Sequence, residues 1–272
     1  MNILISINDS YINQAKIMLS SLKLHNKDNI NIFLLYNNIS DNNLNDLSNF
    51  IVNNIGNFYP IYFNEQIDVP INIDHITIET YFRLYAPYIL PNNIDRILYL
   101  DCDLIVIDNI SNFYNTNLDN NIIAGIDNFD GDNHLYNIRL GLPENNRYIN
   151  AGVLLIDLNK YRNFITKEEI NNFIKNNYSI LEYQDQDVIN YLFRDYILRV
   201  NEIYNYQITQ IIDGYETTGN KIIHYCNKFK PWNDNFSKPN KALDYYKLLN
   251  DLGMVDECNR LRTIHEYNFN NK

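Results

Sequence analysis

The N-terminal part of the chain alternates between short apolar runs and amphipathic segments. The apolar runs predict buried strands and lie at 3–7, 31–36 and 57–63. The two segments between them have apolar residues at helical spacing, and Ser40 is placed to cap the second helix. This alternation predicts a parallel sheet with right-handed crossovers. Ligands bind such sheets at the carboxyl ends of the strands, where Asn8 and Asp9 lie.

The same alternation continues through the middle of the chain. Further strands are predicted at 96–107, 122–126, 151–157 and 221–226. Helical spacing predicts helices at 79–90, 159–176 and 184–194. From Pro239 onward the pattern is helical and more polar. We therefore expect an α/β protein, with one domain over residues 1–238 and a C-terminal helical appendage over residues 239–272.

The chain of 272 residues is ordinary in composition but acidic. It is 46% hydrophobic and 20% charged, with a formal net charge of -11. A protein that grips a nucleic-acid backbone needs a basic surface, so this charge argues against a nucleic-acid partner. It does not argue against a phosphorylated ligand, provided that a metal ion supplies the positive charge.

The cysteines and the N-terminus favour a cytoplasmic protein. The three cysteines, Cys102, Cys226 and Cys258, are widely spaced and odd in number, which argues for a reducing compartment and against a disulfide framework. The first apolar run is too short for a signal peptide, and no run reaches the roughly 18 apolar residues of a membrane span. Arg260 and Arg262 fall short of the basic cluster of a strong membrane anchor. We expect at most peripheral contact with the inner face of a membrane.

Two acids interrupt the apolar stretch at 96–107. Asp101 and Asp103 stand two residues apart, so on an extended chain both carboxylates point the same way and can close on one divalent cation. The same spacing recurs at 130/132 and 185/187, outside runs that must be buried. Because an unpaired buried charge is costly, something positive must meet these acids. A metal ion satisfies that need. A salt bridge to Arg or Lys satisfies it too. If the strand simply ends at Asp101, the two acids are not buried and need no positive partner.

His224 is a candidate third ligand because it lies in the last apolar run. An imidazole beside two carboxylates suits Mn²⁺ better than Mg²⁺, which remains possible, since nitrogen is the softer donor. The alternative is a structural histidine whose ring nitrogens are both hydrogen-bonded within the protein. Lys230 follows closely and is a candidate to meet phosphate as a point charge. Its alternative is a solvated lysine.

Three further places offer candidate sugar contacts. Asp185 and Gln186 open a predicted helix, and their side chains hold hydroxyls by directed hydrogen bonds. Asp also favours the first turn of a helix, so a plain helix start is the alternative. Asn150 opens a strand in which Gly152 permits the close approach of a ligand, or it merely joins a loop to that strand. Arg83 either binds a ligand or is a solvent-exposed residue on the surface of a helix.

Together and in this order, these segments resemble glycosyltransferase family 8, which includes bacterial lipopolysaccharide galactosyl- and glucosyltransferases and, distantly, glycogenin. The resemblance runs from residue 1 to about Trp232. It rests on the strand ending at Asn8-Asp9, Thr80-Tyr81-Phe82-Arg83-Leu84, Ile97-Leu98-Tyr99-Leu100-Asp101-Cys102-Asp103, Asn150-Ala151-Gly152-Val153, Gln184-Asp185-Gln186-Asp187, and His224-Tyr225 followed by Lys230-Pro231-Trp232. It implies a GT-A fold, which is a Rossmann-like nucleotide-sugar-binding domain with a mixed central sheet. It also implies a UDP-sugar donor, Mn²⁺ and retention of the anomeric configuration.

The resemblance implies roles for single residues as well. The implied metal ligands are Asp101, Asp103 and His224, and the implied diphosphate contact is Lys230. The implied uridine pocket consists of Ser6, Ile7, Asn8 and Ser10. The implied sugar contacts are Arg83, Asp127, Asn150, Asp185 and Gln186, and the candidate catalytic residues among them are Asp127, Asp185 and Gln186. The donor site is completed by Thr80, Cys102 and Ala151. Many members have Gly three residues after the metal-binding His, where this chain has Asn227, a residue that tolerates a left-handed turn better than most.

The expected function is transfer of glucose or galactose from a UDP-sugar to a hydroxyl of a saccharide, a lipid-linked saccharide or another acceptor. Gln186 stands where a nucleophile would, and an amide is a poor nucleophile, so we favour attack on the same face as the leaving group. Three alternatives stay open. A sugar nucleotidyltransferase usually opens with a Gly-rich loop, which residues 5–9 lack. A self-glycosylating priming protein would use one of the 23 tyrosines. A non-enzymatic nucleotide-sugar-binding module would need no lysine near the phosphates.

Overall fold

The apolar runs form strands and the amphipathic segments form helices in the computed structural model of the protein, which describes residues 1–70, 77–129, 131–213, 217–226, 228 and 230–271. The strands are β1 Asn2–Ser6, β2 Asn31–Tyr36, β3 Asn57–Tyr62, β4 Arg96–Leu100, β5 Leu104–Val106, β6 Ile123–Asp127, β7 Ile149–Asp157, β8 Ile197–Arg199, β9 Tyr206–Gln207 and β10 Ile222–His224. The α-helices are α1 Ile12–His25, α2 Asp41–Asn54, α3 Phe82–Ile89, α4 Ser111–Tyr114, α5 Asn133–Leu140, α6 Leu158–Phe164, α7 Lys167–Asn177, α8 Gln184–Leu192, α9 Leu243–Asp251 and α10 Val255–Asn270. Short 3-10 helices cover Asp9–Tyr11, Ile78–Tyr81, Tyr178–Ile180, Arg194–Tyr196, Glu202–Tyr204 and Pro239–Lys241.

The large sheet is mixed. Its seven strands have the order β3-β2-β1-β4-β7-β6-β8. β1 pairs in parallel with β2 and β4, and β2 pairs in parallel with β3. β7 runs antiparallel to both of its neighbours, β4 and β6. The predicted α/β fold with a mixed central sheet is therefore confirmed, and α1 and α2 provide the crossovers in its parallel half.

A smaller sheet of order β5-β10-β9 lies beside the large one. The apolar stretch at 96–107 is not one continuous strand but is divided between the two sheets, so the alternative of a strand that ends at Asp101 describes β4 closely. The chain leaves the large sheet after Leu100 and joins the small sheet at Leu104. Asp101 and Asp103 lie in the turn between β4 and β5, where their carboxylates avoid the apolar interior of either sheet.

Three local predictions also need correction. The helix predicted over 159–176 divides into α6 and α7, because Thr166 forms a capping box with Glu169 and starts a new helix. Ser40 stands at the N-cap of α2 without a side-chain capping bond, and its backbone N–H donates to Asp9 Oδ1 at 2.9 Å. The segments α5, β8 and β9 were not predicted, since they are too short to show a clear period.

Apolar side chains alternate between the two faces of the large sheet and form a core on each. In β1, Ile3 and Ile5 point into one core while Leu4 points into the other, and all three are fully buried. Both cores therefore need helices to cover them, which accounts for helices on both faces of this sheet. Within the described residues, no helix combines the length and the apolar character that a membrane crossing requires.

A third core joins the small sheet to the C-terminal helices. Ile105 of β5 and Ile223 of β10 pack in one cluster with Leu249 of α9 and Leu261 of α10. Trp232 packs against the same cluster, with its ring centroid 5.9 Å from that of Tyr245. The helices α9 and α10 thus cover the back of the sheet that contains His224. The division of the chain at residue 238 stays a prediction.

We expect Leu261→Ala to lower the free energy of unfolding by about 2–5 kcal/mol, because it leaves a cavity in the third core. Leu24→Ala is the matched control, since Leu24 is half-exposed on α1, and its effect should stay within about 0.5 kcal/mol. Trp232 is the single tryptophan, so denaturant unfolding followed by its fluorescence reports directly on this core. Equal stability of the two variants would mean that the C-terminal helices do not share a core with the small sheet.

Candidate active site

A cavity of about 490 Å³ opens where the ends of several strands meet. The carboxyl end of β1, the β4–β5 turn, the start of β7, the start of α8 and the end of β10 all contribute to it. This is the edge that the parallel half of the sheet predicts for a ligand.

The structure brings most of the predicted site residues together at this cavity. Those that line it are Ser6, Ile7, Asn8, Thr80, Arg83, Asp101, Cys102, Asp103, Asn150, Ala151, Asp185, Gln186, His224 and Lys230. Ser10 and Asp127 are not among the lining residues. Ser10 instead donates from its backbone N–H and its hydroxyl to Asn8 Oδ1, at 3.1 and 2.6 Å. Asp127 pairs with Arg147 at the end of β6. Asn227 lies outside the described residues.

Asp101, Asp103 and His224 form a cluster at the floor of the cavity. One donor atom from each lies within 4.8 Å of the others. His224 Nε2 is 3.0 Å from Asp103 Oδ1 and 3.9 Å from Asp101 Oδ2. Two carboxylates and one imidazole form a donor set suited to a divalent cation of the Mn²⁺ type. The residues present therefore fit a divalent metal ion.

Lys230 lies against the same cluster. Its Nζ is 2.5 Å from Asp103 Oδ2, and it donates to the carbonyl of Tyr225 at 2.7 Å. Because Lys230 is only 6% exposed, the alternative of a solvated lysine is wrong. Burial alone would raise the pKa of Asp103, but Lys230 and His224 outweigh that effect and hold it well below its usual range. The Asp103 carboxylate is therefore ionised, and the salt bridge considered from the sequence is present alongside the candidate metal ligands.

Arg83 connects two acids across the cavity wall. Its Nε is 2.9 Å from Asp185 Oδ2, and its Nη2 is 3.3 Å from Asp101 Oδ1. It also donates to the carbonyl of Ala151, and its guanidinium lies over the ring of Tyr99, 4.1 Å from the centroid. Burial raises the pKa of Asp185 to about 6 although Arg83 acts in the opposite direction. Arg83 is 3% exposed, so the alternative of a solvent-exposed residue on the surface of a helix is wrong.

The second acidic pair shows why spacing alone does not define a metal site. In a helix, residues two apart face nearly opposite directions. Asp185 faces the cavity, whereas Asp187 is fully buried. Asp187 accepts two hydrogen bonds from Arg139, at 2.9 and 3.0 Å, and one from Tyr148 Oη at 2.6 Å. Asp187 therefore anchors the start of α8, and Asp185 and Gln186 are presented to the cavity.

Sequence reasoning missed several residues of the cavity wall. They include Tyr11, Glu79, Tyr99, Asn128, Tyr183 and Lys228. Tyr and Asn are so frequent in this chain that no single one carried a signal. Glu79 directly precedes the quoted Thr80 and is 4% exposed, and Asn8 Nδ2 donates to it at 3.3 Å. In the sequence, the one signal for Glu79 as a cavity residue was that it is an acid directly before a recognised segment.

Gly152 is required by the close approach of β7 to the cluster. A Cβ atom at this position would lie 2.3 Å from His224 Cε1 and 2.7 Å from Asp101 Oδ2. We expect Gly152→Ala to displace these two side chains and to weaken Mn²⁺ binding about 10- to 100-fold, measured by calorimetric titration. The control is Gly125→Ala on β6, where the new Cβ would meet apolar side chains, Ile149 Cδ1 at 2.6 Å and Leu154 Cδ2 at 3.4 Å. It should cost stability but keep metal affinity. Equal Mn²⁺ affinity in the two variants would contradict this role for Gly152.

Comparison with known proteins agrees with this geometry. A Haemophilus influenzae protein whose name places it among the glycosyltransferases is 28% identical over 256 residues, covering 88% of this chain and 75% of its own length. Lipopolysaccharide 1,2-glucosyltransferase of Escherichia coli is 30% identical over 179 residues, covering 62% of this chain but only 52% of that protein. The crystal structure of galactosyltransferase LgtC, in complex with donor and acceptor sugar analogues, superposes with a TM-score of 0.79 at 25% identity. It covers 92% of this chain and 96% of LgtC.

Residues 2–236 match glycosyl transferase family 8. That range contains every strand of both sheets and every residue of the cavity wall. The chain belongs to glycosyl transferase family 8.

Proposed function

We propose that the protein is a Mn²⁺-dependent, retaining glycosyltransferase that moves a hexose from a UDP-sugar to a hydroxyl of a saccharide acceptor, free or lipid-linked. The observation that carries this proposal is the cluster of Asp101, Asp103 and His224 with Lys230 beside it. The names of the relatives support a hexose, since one is a glucosyltransferase and one a galactosyltransferase.

The uridine would lie at the carboxyl end of β1. Ser6, Asn8 and Tyr11 line this part of the cavity. Ser6 Oγ is buried and has no hydrogen-bond partner among the residues that the structure describes, so a polar ligand atom would satisfy it. Tyr11 offers an aromatic face on which a base can stack.

The diphosphate would lie over the metal ligands and Lys230. A divalent cation held by Asp101, Asp103 and His224 would neutralise charge on the phosphates. Lys230 would move from Asp103 to a phosphate oxygen and stabilise the negative charge that grows as the bond from the sugar C1 to the β-phosphate oxygen breaks. Only interactions that strengthen in the transition state accelerate the reaction, so Lys230 would act mainly on turnover.

The sugar would face Asp185, Gln186 and Asn150. Gln186 Oε1 already accepts hydrogen bonds from the backbone N–H of Ala151 at 3.0 Å and from Asn150 Nδ2 at 3.3 Å. An amide oxygen occupied in this way is a poor nucleophile, which supports same-face attack. The acceptor oxygen would bond to C1 on the face that the phosphate leaves, the bonding pair would depart with the phosphate, and a phosphate oxygen would take the acceptor proton. Asp185, paired with Arg83, would orient sugar hydroxyls.

We expect Asp103→Asn to lower turnover of UDP-glucose or UDP-galactose in the presence of Mn²⁺ by more than about 100-fold. The loss of a metal ligand should lower activity more than the loss of a residue that only hydrogen-bonds to a ligand. Asp132→Asn is the matched control. Asp132 belongs to another Asp-x-Asp pair and caps α5, where Asn serves equally well. Released UDP and the intact mass of the protein are measured together. A mass gain would indicate self-glycosylation, and binding without UDP release would indicate a non-enzymatic module. Wild-type turnover in Asp103→Asn would exclude the metal assignment.

The stereochemical proposal has its own test. With an α-linked donor and a saccharide acceptor found by screening, proton NMR of the first product formed should show an α-linkage. Gln186→Ala should slow the reaction and keep this configuration, because same-face attack forms no bond to residue 186. A β-linked first product would require a general base on the opposite face and would overturn the proposed mechanism.

A further inference from the structure

Asn205 is a buried residue that none of the sequence motifs includes. It follows the 3-10 helix Glu202–Tyr204, is fully buried, and does not line the cavity. Its side-chain Nδ2 donates to Asn150 Oδ1 at 2.9 Å, and its Oδ1 lies 2.8 Å from His224 Nδ1. One amide therefore joins a candidate metal ligand to a candidate sugar contact.

We propose that Asn205 is a positioning residue that holds the Nδ1 proton of His224 and, together with the backbone N–H of Gly152, the amide orientation of Asn150, so that one buried amide links the two halves of the donor site. This inference rests on the proposed function, because it takes His224 as a metal ligand and Asn150 as a sugar contact.

One hydrogen bond of this network has a fixed direction, because its donor is a backbone N–H. The N–H of Gly152 donates to the Asn150 side chain at 3.0 Å, so the atom of Asn150 that receives it must be Oδ1. Asn205 approaches the same oxygen. The atom of Asn205 that faces an acceptor must be its NH₂ group, and the oxygen of Asn205 is therefore the atom that faces His224.

The orientation of His224 follows from that of Asn205. An amide oxygen can only accept, so His224 Nδ1 must carry a proton and donate it. With Nδ1 engaged by Asn205, Nε2 is the nitrogen that faces Asp101 and Asp103, and its lone pair would bind a metal ion held between them. Histidine ligands generally donate their second ring N–H to a partner behind them, and that partner fixes the ring for the metal. Asn205 occupies this position.

The orientation of the sugar half follows from the same bond. With Oδ1 held by Gly152 and Asn205, Asn150 turns its NH₂ group toward Gln186 Oε1, at 3.3 Å. The backbone N–H of Ala151 independently holds that oxygen at 3.0 Å. Two adjacent backbone N–H groups of β7 thus determine which ends of Asn150, Asn205 and Gln186 donate and which accept.

Two substitutions separate the two halves of this role. Asn205→Leu keeps the number and branching of the side-chain heavy atoms and loses both hydrogen bonds. Asn205→Asp keeps an acceptor for His224 Nδ1 but places an oxygen against Asn150 Oδ1. Asn137→Leu is the control, because Asn137 is a fully buried amide that does not line the cavity and donates to the carbonyls of Glu144 and Asn146. It reports the general cost of losing a buried amide.

The first measurement is nitrogen NMR of histidine-labelled, metal-free protein, which shows whether each ring nitrogen carries a proton. The His224 signal is assigned by its loss in His224→Gln. We expect a proton on Nδ1 in wild type and in Asn205→Asp, and its loss in Asn205→Leu, where Nδ1 has lost its acceptor while the Asp103 carboxylate still faces Nε2. An unprotonated Nδ1 in wild type would overturn the proposal without any variant having to fold.

The second measurement is calorimetric titration with Mn²⁺, and then with UDP and UDP-glucose in its presence. Asn205→Leu should bind Mn²⁺ about 10- to 100-fold more weakly. Asn205→Asp should bind Mn²⁺ and UDP as wild type does and should lose about tenfold in affinity for UDP-glucose, the effect of one misdirected hydrogen bond. Wild-type affinities in both Asn205 variants would overturn the proposal. If wild type binds no Mn²⁺ while the Nδ1 proton of His224 is present in wild type and lost in Asn205→Leu, the positioning role stands and the metal assignment fails.

Discussion

The site depends on the antiparallel pairing of β5 with β10. In this register His224 lies opposite Leu104, the residue that follows Asp103. The backbone N–H of Tyr225 donates to the carbonyl of Asp103 at 3.0 Å and extends the pairing by one step. This pairing brings the imidazole to two carboxylates that are more than a hundred residues earlier in the chain. The third core, shared with α9 and α10, holds the small sheet in place from behind.

The rest of the site follows from the cost of placing these carboxylates partly out of water. Ionised acids in such surroundings need positive or donating partners, and a missing partner is more costly than the pair is favourable. Asp103 has Lys230 and His224, while Asp101 has Arg83 and the hydroxyl of Tyr99 at 2.6 Å. Burial holds the pKa of Tyr99 well above its usual range, so this hydroxyl remains a donor. Arg83 thus lies between Asp101 and Asp185 and links two acids of the cavity wall.

Much of the fold could be predicted from the sequence because its central strands are distinct apolar runs. β1, β2, β4 and β7 are nearly continuous apolar runs, which is typical of strands covered on both faces. The Asp101/Asp103 pair stood out because such a run flanked it. β8 and β9 are only 3 and 2 residues long and have no period to detect. Their place is set by tertiary pairing with β6 and β10.

The site residues that could not be predicted from the sequence are also placed by tertiary contacts. The motifs identified side chains that face the cavity, but not the residues that hold them from behind. Asn205 is one of many asparagines in an irregular segment, and only the fold shows that it lies between Asn150 and His224. Asp185 and Asp187 have the same spacing as Asp101 and Asp103, but a helix directs them apart. Spacing predicts a shared ligand only when the backbone conformation is known.

The central claim is that Asp101, Asp103 and His224 hold a divalent cation that in turn holds the diphosphate of the donor. The most direct test is calorimetric titration of the wild-type protein with UDP, first with Mn²⁺ and then with a chelator in its place. We expect measurable UDP binding with Mn²⁺ and a large loss of affinity with the chelator, because Lys230 would remain paired with Asp103 and the two acids would repel the phosphates. Equal UDP affinity under both conditions would contradict it.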